Sequence, residues 1–288
     1  MNLYSELKVE IPKIITKDNV NFTYILAGVL EHYKKNFDRG GYLPITHSGM
    51  IPATKDFFET KISKKENPIK VLEKALERES PFIPGCSMVS IPIKYLRLNQ
   101  WDNVEKDTDW CAARTTCFSL KIGKLEVGFG RADWERIFGQ IPSACLEVAE
   151  KRGFEPILEI PNFSNRYPNY FQSVLANYLP EGLETGKIII NGGVGNHCGK
   201  HSSGGEIEIN GLARECLGDC SDNVNYEVKG LVSSITQARN CNFIVEGINS
   251  FGYQHKTDIK KLKEEGCTIK IKVLDKLVDI EEYINFSR

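Results

Sequence analysis

The sequence predicts an α+β protein in two parts: a mixed α/β domain over residues 1–182, then a short β-solenoid over 183–288 closed by a helix and a strand. The solenoid half rests on a repeat. Four strand-like runs, 187–192 (KIIING), 206–211 (EIEING), 225–230 (NYEVKG) and 242–247 (NFIVEG), each end in glycine, and those glycines fall 19, 19 and 17 residues apart. A fixed period of this length belongs to solenoids. A unit so short cannot bury its own apolar face and must stack on its neighbours to build a core. The other half rests on periodicity upstream, where helical and alternating patterns replace the repeat.

Taken in order, residues 18–37 carry the clearest helical stripe. Phe22, Ile25, Leu26, Val29, Leu30 and Tyr33 share one face, Asp18 is the N-cap and Gly40-Gly41 stops the helix. The next stretch (GGYLPITHSGMIPATKDFF) has Gly, Pro and Thr without periodicity and reads as a long loop, a kind often functional. A second helix opens at Asn67-Pro68, because proline at the first helical position loses no hydrogen bond, and it buries Val71, Leu72, Ala75 and Leu76. From 115 to 129 the period becomes two, with Gly123-Lys124 as a two-residue turn, which predicts a hairpin.

A helix over 132–138 is expected to break near Pro142 and resume to Lys151, with Gly153 as its stop. Residues 155–160 read as a strand. The aromatic stretch 161–180 turns helical around 169–179, and Pro180-Glu181-Gly182 is the junction to the repeat. After the fourth repeat strand, 256–265 reads as a helix and 267–273 as a strand, together capping the open end of the stack.

Between the strands the chain runs GGVGNHCGKHSSGGEIEINGLARECLG. Over about 186–247 it resembles the Gly-Xaa-Gly-Xaa-Gly repeat domain, the right-handed β-helix found at the C-terminus of the large chain of glutamate synthase and in one of the chains of formylmethanofuran dehydrogenase. The segment GNHCGKHSSGGEIEING carries the likeness: a glycine ends one turn, a Gly-Gly pair re-enters the next strand, and Ile and Glu alternate. After Gly218 the Gly-Gly pair is lost and the match fades. The resemblance implies a right-handed β-helix acting as a structural and interface element, and it implies no catalytic residues.

Composition narrows the function classes. Thirty-seven basic against thirty-eight acidic residues leave a net charge of −1, which offers no field for nucleic acid or an anionic membrane. No apolar run is long enough to cross a bilayer, and the charged N-terminus (MNLYSELKVEIPK) lacks the apolar stretch of an export signal. The expected location is therefore the cytoplasm. Nine cysteines there read as reduced thiols.

Two constellations could carry chemistry. Alignment of the repeats on Gly192 and Gly211 places His197 over Cys216 and His201 over Cys220, about 4.8 Å apart if the strands stack. Such a Cys₂His₂ set is what tetrahedral zinc accepts. In the alternative the four side chains line a turn edge with no metal or cofactor, the cysteines acting as small apolar fillers. The second constellation is Cys111, Arg114 and Cys117, just before the hairpin. A cysteine beside an arginine becomes a nucleophile if a histidine base reaches it, and His47, His197 and His201 are the candidates.

Other motifs say less. The glycine run 192–205 has no Gly-Lys-Ser/Thr opening a helix, so it is no phosphate loop. Gly128-Phe129-Gly130-Arg131 leads from a strand to a helix start, where an anion could sit, although chain reversal explains it equally. The functional expectation is a scaffold on which a partner protein or a second copy docks through the repeat. Its alternative is a cytoplasmic enzyme with a thiol- or metal-dependent site between the N-terminal domain and the repeat.

Overall fold

The computed structural model describes residues 29, 32, 47–78, 97–98, 118–122, 125–129, 131–160, 177–248 and 258–286. The chain divides into two compact units, Met1–Ile137 and Phe138–Arg288. The protein is α+β, and its main sheet is seven-stranded and mostly parallel. No helix among the described residues is long and apolar enough to cross a membrane.

In the first unit, α1 (His47–Lys61) and α2 (Pro68–Arg78) precede a three-stranded antiparallel sheet. Helix α1 replaces the loop expected around His47. Its sequence contains Pro52 and little periodicity, yet Met50, Ala53, Thr54, Phe57 and Phe58 are all buried. Burial of two phenylalanines, about 1.5–3 kcal/mol each, outweighs poor local propensity. Helix α2 starts at Pro68 as expected, with Asn67 capping it through a 2.9 Å bond from the Ile69 N–H. Of the expected helix 18–37, Val29 and His32 are described, and both are helical and buried.

The hairpin also matches its sequence pattern. Strand β1 (Arg97–Leu98) pairs with β2 (Phe118–Ile122), and β2 pairs with β3 (Leu125–Phe129) in a register that puts Ile122 opposite Leu125. Helix α3 (Arg131–Lys151) then runs without the break expected at Pro142. Every residue from Gly139 to Ala149 is buried, so surrounding contacts hold the helix through the hydrogen bond that proline cannot make.

The second unit is built on register. Strands β4 (Ile157–Ile160), β5 (Lys187–Ile190), β6 (Glu206–Ile209), β7 (Asn225–Val232), β8 (Asn242–Ile248) and β9 (Thr268–Val273) pair in parallel, each with the next. Equivalent repeat positions therefore become neighbours. Ile160, Ile190, Ile209, Val228, Val245 and Ile271 form one buried ladder, and Leu158, Ile188, Ile207, Tyr226, Phe243 and Ile269 form a second. Tyr226 and Phe243 stack with centroids 4.7 Å apart at 6°. The sheet begins one strand before the glycine repeat, because β4 already carries the alternation that matches it.

Between strands, further parallel bridges follow the same period: Val194 to Ala213, Ala213 to Val232, and Leu217 to Ile235. Asparagine side chains repeat it too, with Asn210 donating to Asn191 at 2.8 Å and Asn242 to Asn225 at 2.8 Å. The lost Gly-Gly pair has an explanation here. Gly186 and Gly205 take positive φ just before their strands, and in later repeats Asn223 (φ 56) and Asn240 (φ 48) do so one residue earlier. Asparagine tolerates that conformation better than other non-glycine residues.

The helix and strand expected after the fourth repeat strand both form, as α4 (Ile259–Glu264) and β9. Two elements have no counterpart in the sequence pattern: β10 (Lys276–Asp279), antiparallel to β9, and α5 (Ile280–Phe286). Their alternation is too short to register there.

Replacing Ile209 by Asp should cost several kcal/mol, since an unpaired charge would enter a continuous apolar ladder. A Gly199→Ala change should also destabilise. Gly199 holds φ +76, and an added Cβ would lie 2.2 Å from the Tyr226 hydroxyl. Thermal and urea denaturation of both variants check this, and unchanged midpoints would count against tight stacking at these sites.

Candidate functional site

The four residues of the expected zinc set share one backbone feature. His197 (φ 60), His201 (φ 55), Cys216 (φ 61) and Cys220 (φ 56) are all left-handed, at corresponding corners of successive repeats. Backbone bonds tie these corners together: the His197 N–H donates to Glu215 O at 2.9 Å and the His201 N–H to Asp219 O at 3.0 Å. Cys216 is buried, His197 is half-buried, and His201 and Cys220 are exposed. Among the described residues, no group of three or more His, Cys, Asp or Glu side chains is arranged to hold a metal ion.

What the corners bring together is a charged cluster around Asp219. Its Oδ2 accepts from Lys200 Nζ at 2.7 Å and lies 3.2 Å from His197 Nδ1, with the carboxylate largely buried. The His197 ring stacks on Tyr178, centroids 5.0 Å apart at 10°, and Lys200 Nζ lies 6.0 Å from the same ring centre. Burial alone would raise the Asp219 pKa, but the hydrogen bonds and charges of His197 and Lys200 outweigh it and hold the carboxyl well below its ordinary range. For Lys200, burial is the largest influence and pulls downward, but the Asp219 bond together with the charge of Asp219 and its neighbours outweighs it, so its pKa is raised.

Sequence reasoning missed Lys200 and Asp219, although a usable signal was present. Lys200 and Asp219 are separated by the same 19 residues that aligned the histidines with the cysteines. Asp219 fixes one nitrogen of His197, in the polarity of a base held by a carboxylate. No hydrogen bond reaches the other ring nitrogen among the described residues.

Beside this cluster lies a cleft of about 610 Å³ between the last repeat corners and α4. Cys220, Gln237 and Arg239 line one wall, and Asp258, Lys261 and Glu265 line the other. Cys220 donates to Gln237 Oε1 at 3.3 Å, and burial is the main cause of a raised thiol pKa, which keeps it protonated. Arg239 pairs with Glu265 across the cleft at 3.2 Å. Within the cleft the Arg239–Glu265 pair and Cys220 are thus already engaged, and this exposed thiol is not activated.

Of the thiol constellation, Cys111, Arg114 and Cys117 lie outside the described residues. His47 is the first residue of α1. No protein-family model, curated protein or solved structure matches this chain.

Asp219→Asn should cost about 1–3 kcal/mol at neutral pH, because a charge-assisted pair is lost and Lys200 is left without its partner. A carboxyl with a depressed folded pKa stabilises fully above its unfolded pKa of about 3.9 and loses that contribution as pH falls toward the folded value. The gap between parent and variant should therefore be constant from pH 6 to 8 and close below about pH 4. Urea denaturation across that range is the measurement, and a gap independent of pH would dismiss the ionic account.

Proposed function

We propose that residues 183–288 form a short right-handed β-helix of the Gly-Xaa-Gly-Xaa-Gly type, serving as a scaffold whose C-terminal sheet edge docks a second copy of this chain. The β-helix part is supported by the in-register parallel ladders, by the interstrand bridges that repeat with them, and by the sequence resemblance. Right-handedness follows from the hand of parallel crossovers, which is right in about 98% of cases.

The docking part is carried by a single observation, the character of β10. Among the described residues it pairs with β9 alone, and next to it Leu274 is 89% exposed and Leu277 is 49% exposed. An edge strand with open amides and uncovered leucines is a template for another strand. A second copy is the occupant that needs no further component, since an antiparallel edge pair is self-complementary about a two-fold axis. An axis passing through Leu277 sets this leucine against its own copy.

Sedimentation velocity of the full chain over a range of concentrations tests the proposal. A reversible dimer is expected, and a Leu274→Lys/Leu277→Lys double variant should be monomeric with an unchanged melting temperature. A parent chain that stays monomeric throughout would overturn it, as would a dimer indifferent to the double variant.

A further inference from the structure

The hand-over from the repeat to its cap contains a feature that neither the docking edge nor the Asp219 cluster uses. Strands β8 and β9 pair with Asn242 opposite Thr268, so the preceding residues, Cys241 and Cys267, are also opposite one another. The Thr268 N–H donates to Cys241 O at 2.9 Å, which fixes that register at the cysteines themselves. Both are free thiols, buried to 0% and 4% exposure. Neighbouring strands lie about 4.8 Å apart, inside the roughly 4.4–6.8 Å Cα window of a disulfide.

We propose that Cys241 and Cys267 are an oxidation site, joined by a peroxide-class oxidant into a reversible disulfide that fastens the cap, α4 and β9, to the last repeat. The pairing is specific to this junction. The corresponding column in earlier repeats holds Gly186, Gly205 and Val224, so only the last two rungs present sulfur to sulfur.

Cys241 is the attacking thiol. Ser221 Oγ lies 3.4 Å from its Sγ and the Val224 N–H donates to the same atom at 3.4 Å, while the thiol proton points to Arg239 O at 3.0 Å. The neighbouring Cys267 thiol is the largest influence lowering the Cys241 pKa, to about 6, against burial that opposes it. The same pairing with Cys241, and burial, push Cys267 upward, leaving it protonated. The cleft of about 610 Å³ lies one residue away from both: Ser221, which lines it, is 3.4 Å from Cys241 Sγ, and Leu262, also in its lining, accepts the Cys267 N–H at 2.9 Å.

The chemistry balances in two steps. The Cys241 thiolate attacks one oxygen of hydrogen peroxide, the O–O bond breaks, and a sulfenic acid and hydroxide result, the hydroxide taking up the proton the thiol released. Cys267 sulfur then attacks the sulfenic sulfur, the S–O bond breaks, and water leaves with the Cys267 proton. Two thiols are oxidised by two electrons and one peroxide becomes two waters. A small dithiol reverses the bond by exchange.

The test is peroxide titration of the reduced, folded full chain, followed by peptide mapping without reductant and by thermal melting. The expected result is one internal disulfide joining Cys241 to Cys267, a melting temperature raised by several degrees, and full reversal by dithiothreitol. In Cys267→Ser, Cys241 should be trapped by dimedone as sulfenic acid, whereas Cys220→Ser should behave as the parent. Because the mapping uses the unaltered chain, misfolding of a variant leaves the test intact. Failure of the folded parent to lose its two thiols at these positions would overturn the proposal, as would a link that forms only after denaturation.

Discussion

Everything in the second unit depends on one constraint: successive strands must pair in parallel without slipping. A one-residue slip turns every inward side chain outward. Here the penalty for slipping would be borne twice on each strand, since two ladders run through it, one through Ile209 and one through Ile207. Polar groups enforce the same register from outside. Asn210 meets Asn191, and Lys187 and Lys229 both reach Glu208, at 2.9 and 2.6 Å. That double contact also relieves the juxtaposition of Glu208 with Glu227, which the register makes unavoidable.

The corners are a consequence of that register. A chain that must return to the same place after each strand needs abrupt reversals, and the left-handed conformation supplies them at His197, His201, Cys216 and Cys220. Once the corners superpose, so do their neighbours, and Lys200 arrives at Asp219. The cluster that looks most like a catalytic centre is therefore also what the repeat produces geometrically. Its buried carboxylate is satisfied by two cationic or polar partners, as a buried charge must be to be tolerated.

Legibility in the sequence followed the length scale of the interaction. The ladder Ile190, Ile209, Val228 and Val245 was readable because a period of two within strands and about nineteen between them both point to it. The α2 start at Pro68 and the β2–β3 hairpin were readable from local chemistry. Helix α1 was not, because its stability comes from burying Phe57 and Phe58 rather than from its own pattern. Pro142 misled for the same reason, since local cost was visible and tertiary compensation was not. In the site, spacing correctly aligned His197 with Cys216, but it could not say whether those side chains converge or whether Lys200 and Asp219 would.

The change of spacing along the sheet sets its last junction apart. Strands β5, β6 and β7 begin at 187, 206 and 225, β8 begins at 242, and β9 begins at 268. The longer last interval admits α4, so the final rung is tied to the stack through a longer excursion than any repeat before it. Loop closure makes that junction less favoured entropically than those linking β5, β6, β7 and β8. Several local connections bridge this place: Thr268 bonded to Asn242, Asn240 N–H to Glu265 O at 3.0 Å, and Arg239 paired with Glu265. Beyond it, β10 turns back antiparallel and ends the parallel series, so the residues that terminate the stack are also those that present its open edge.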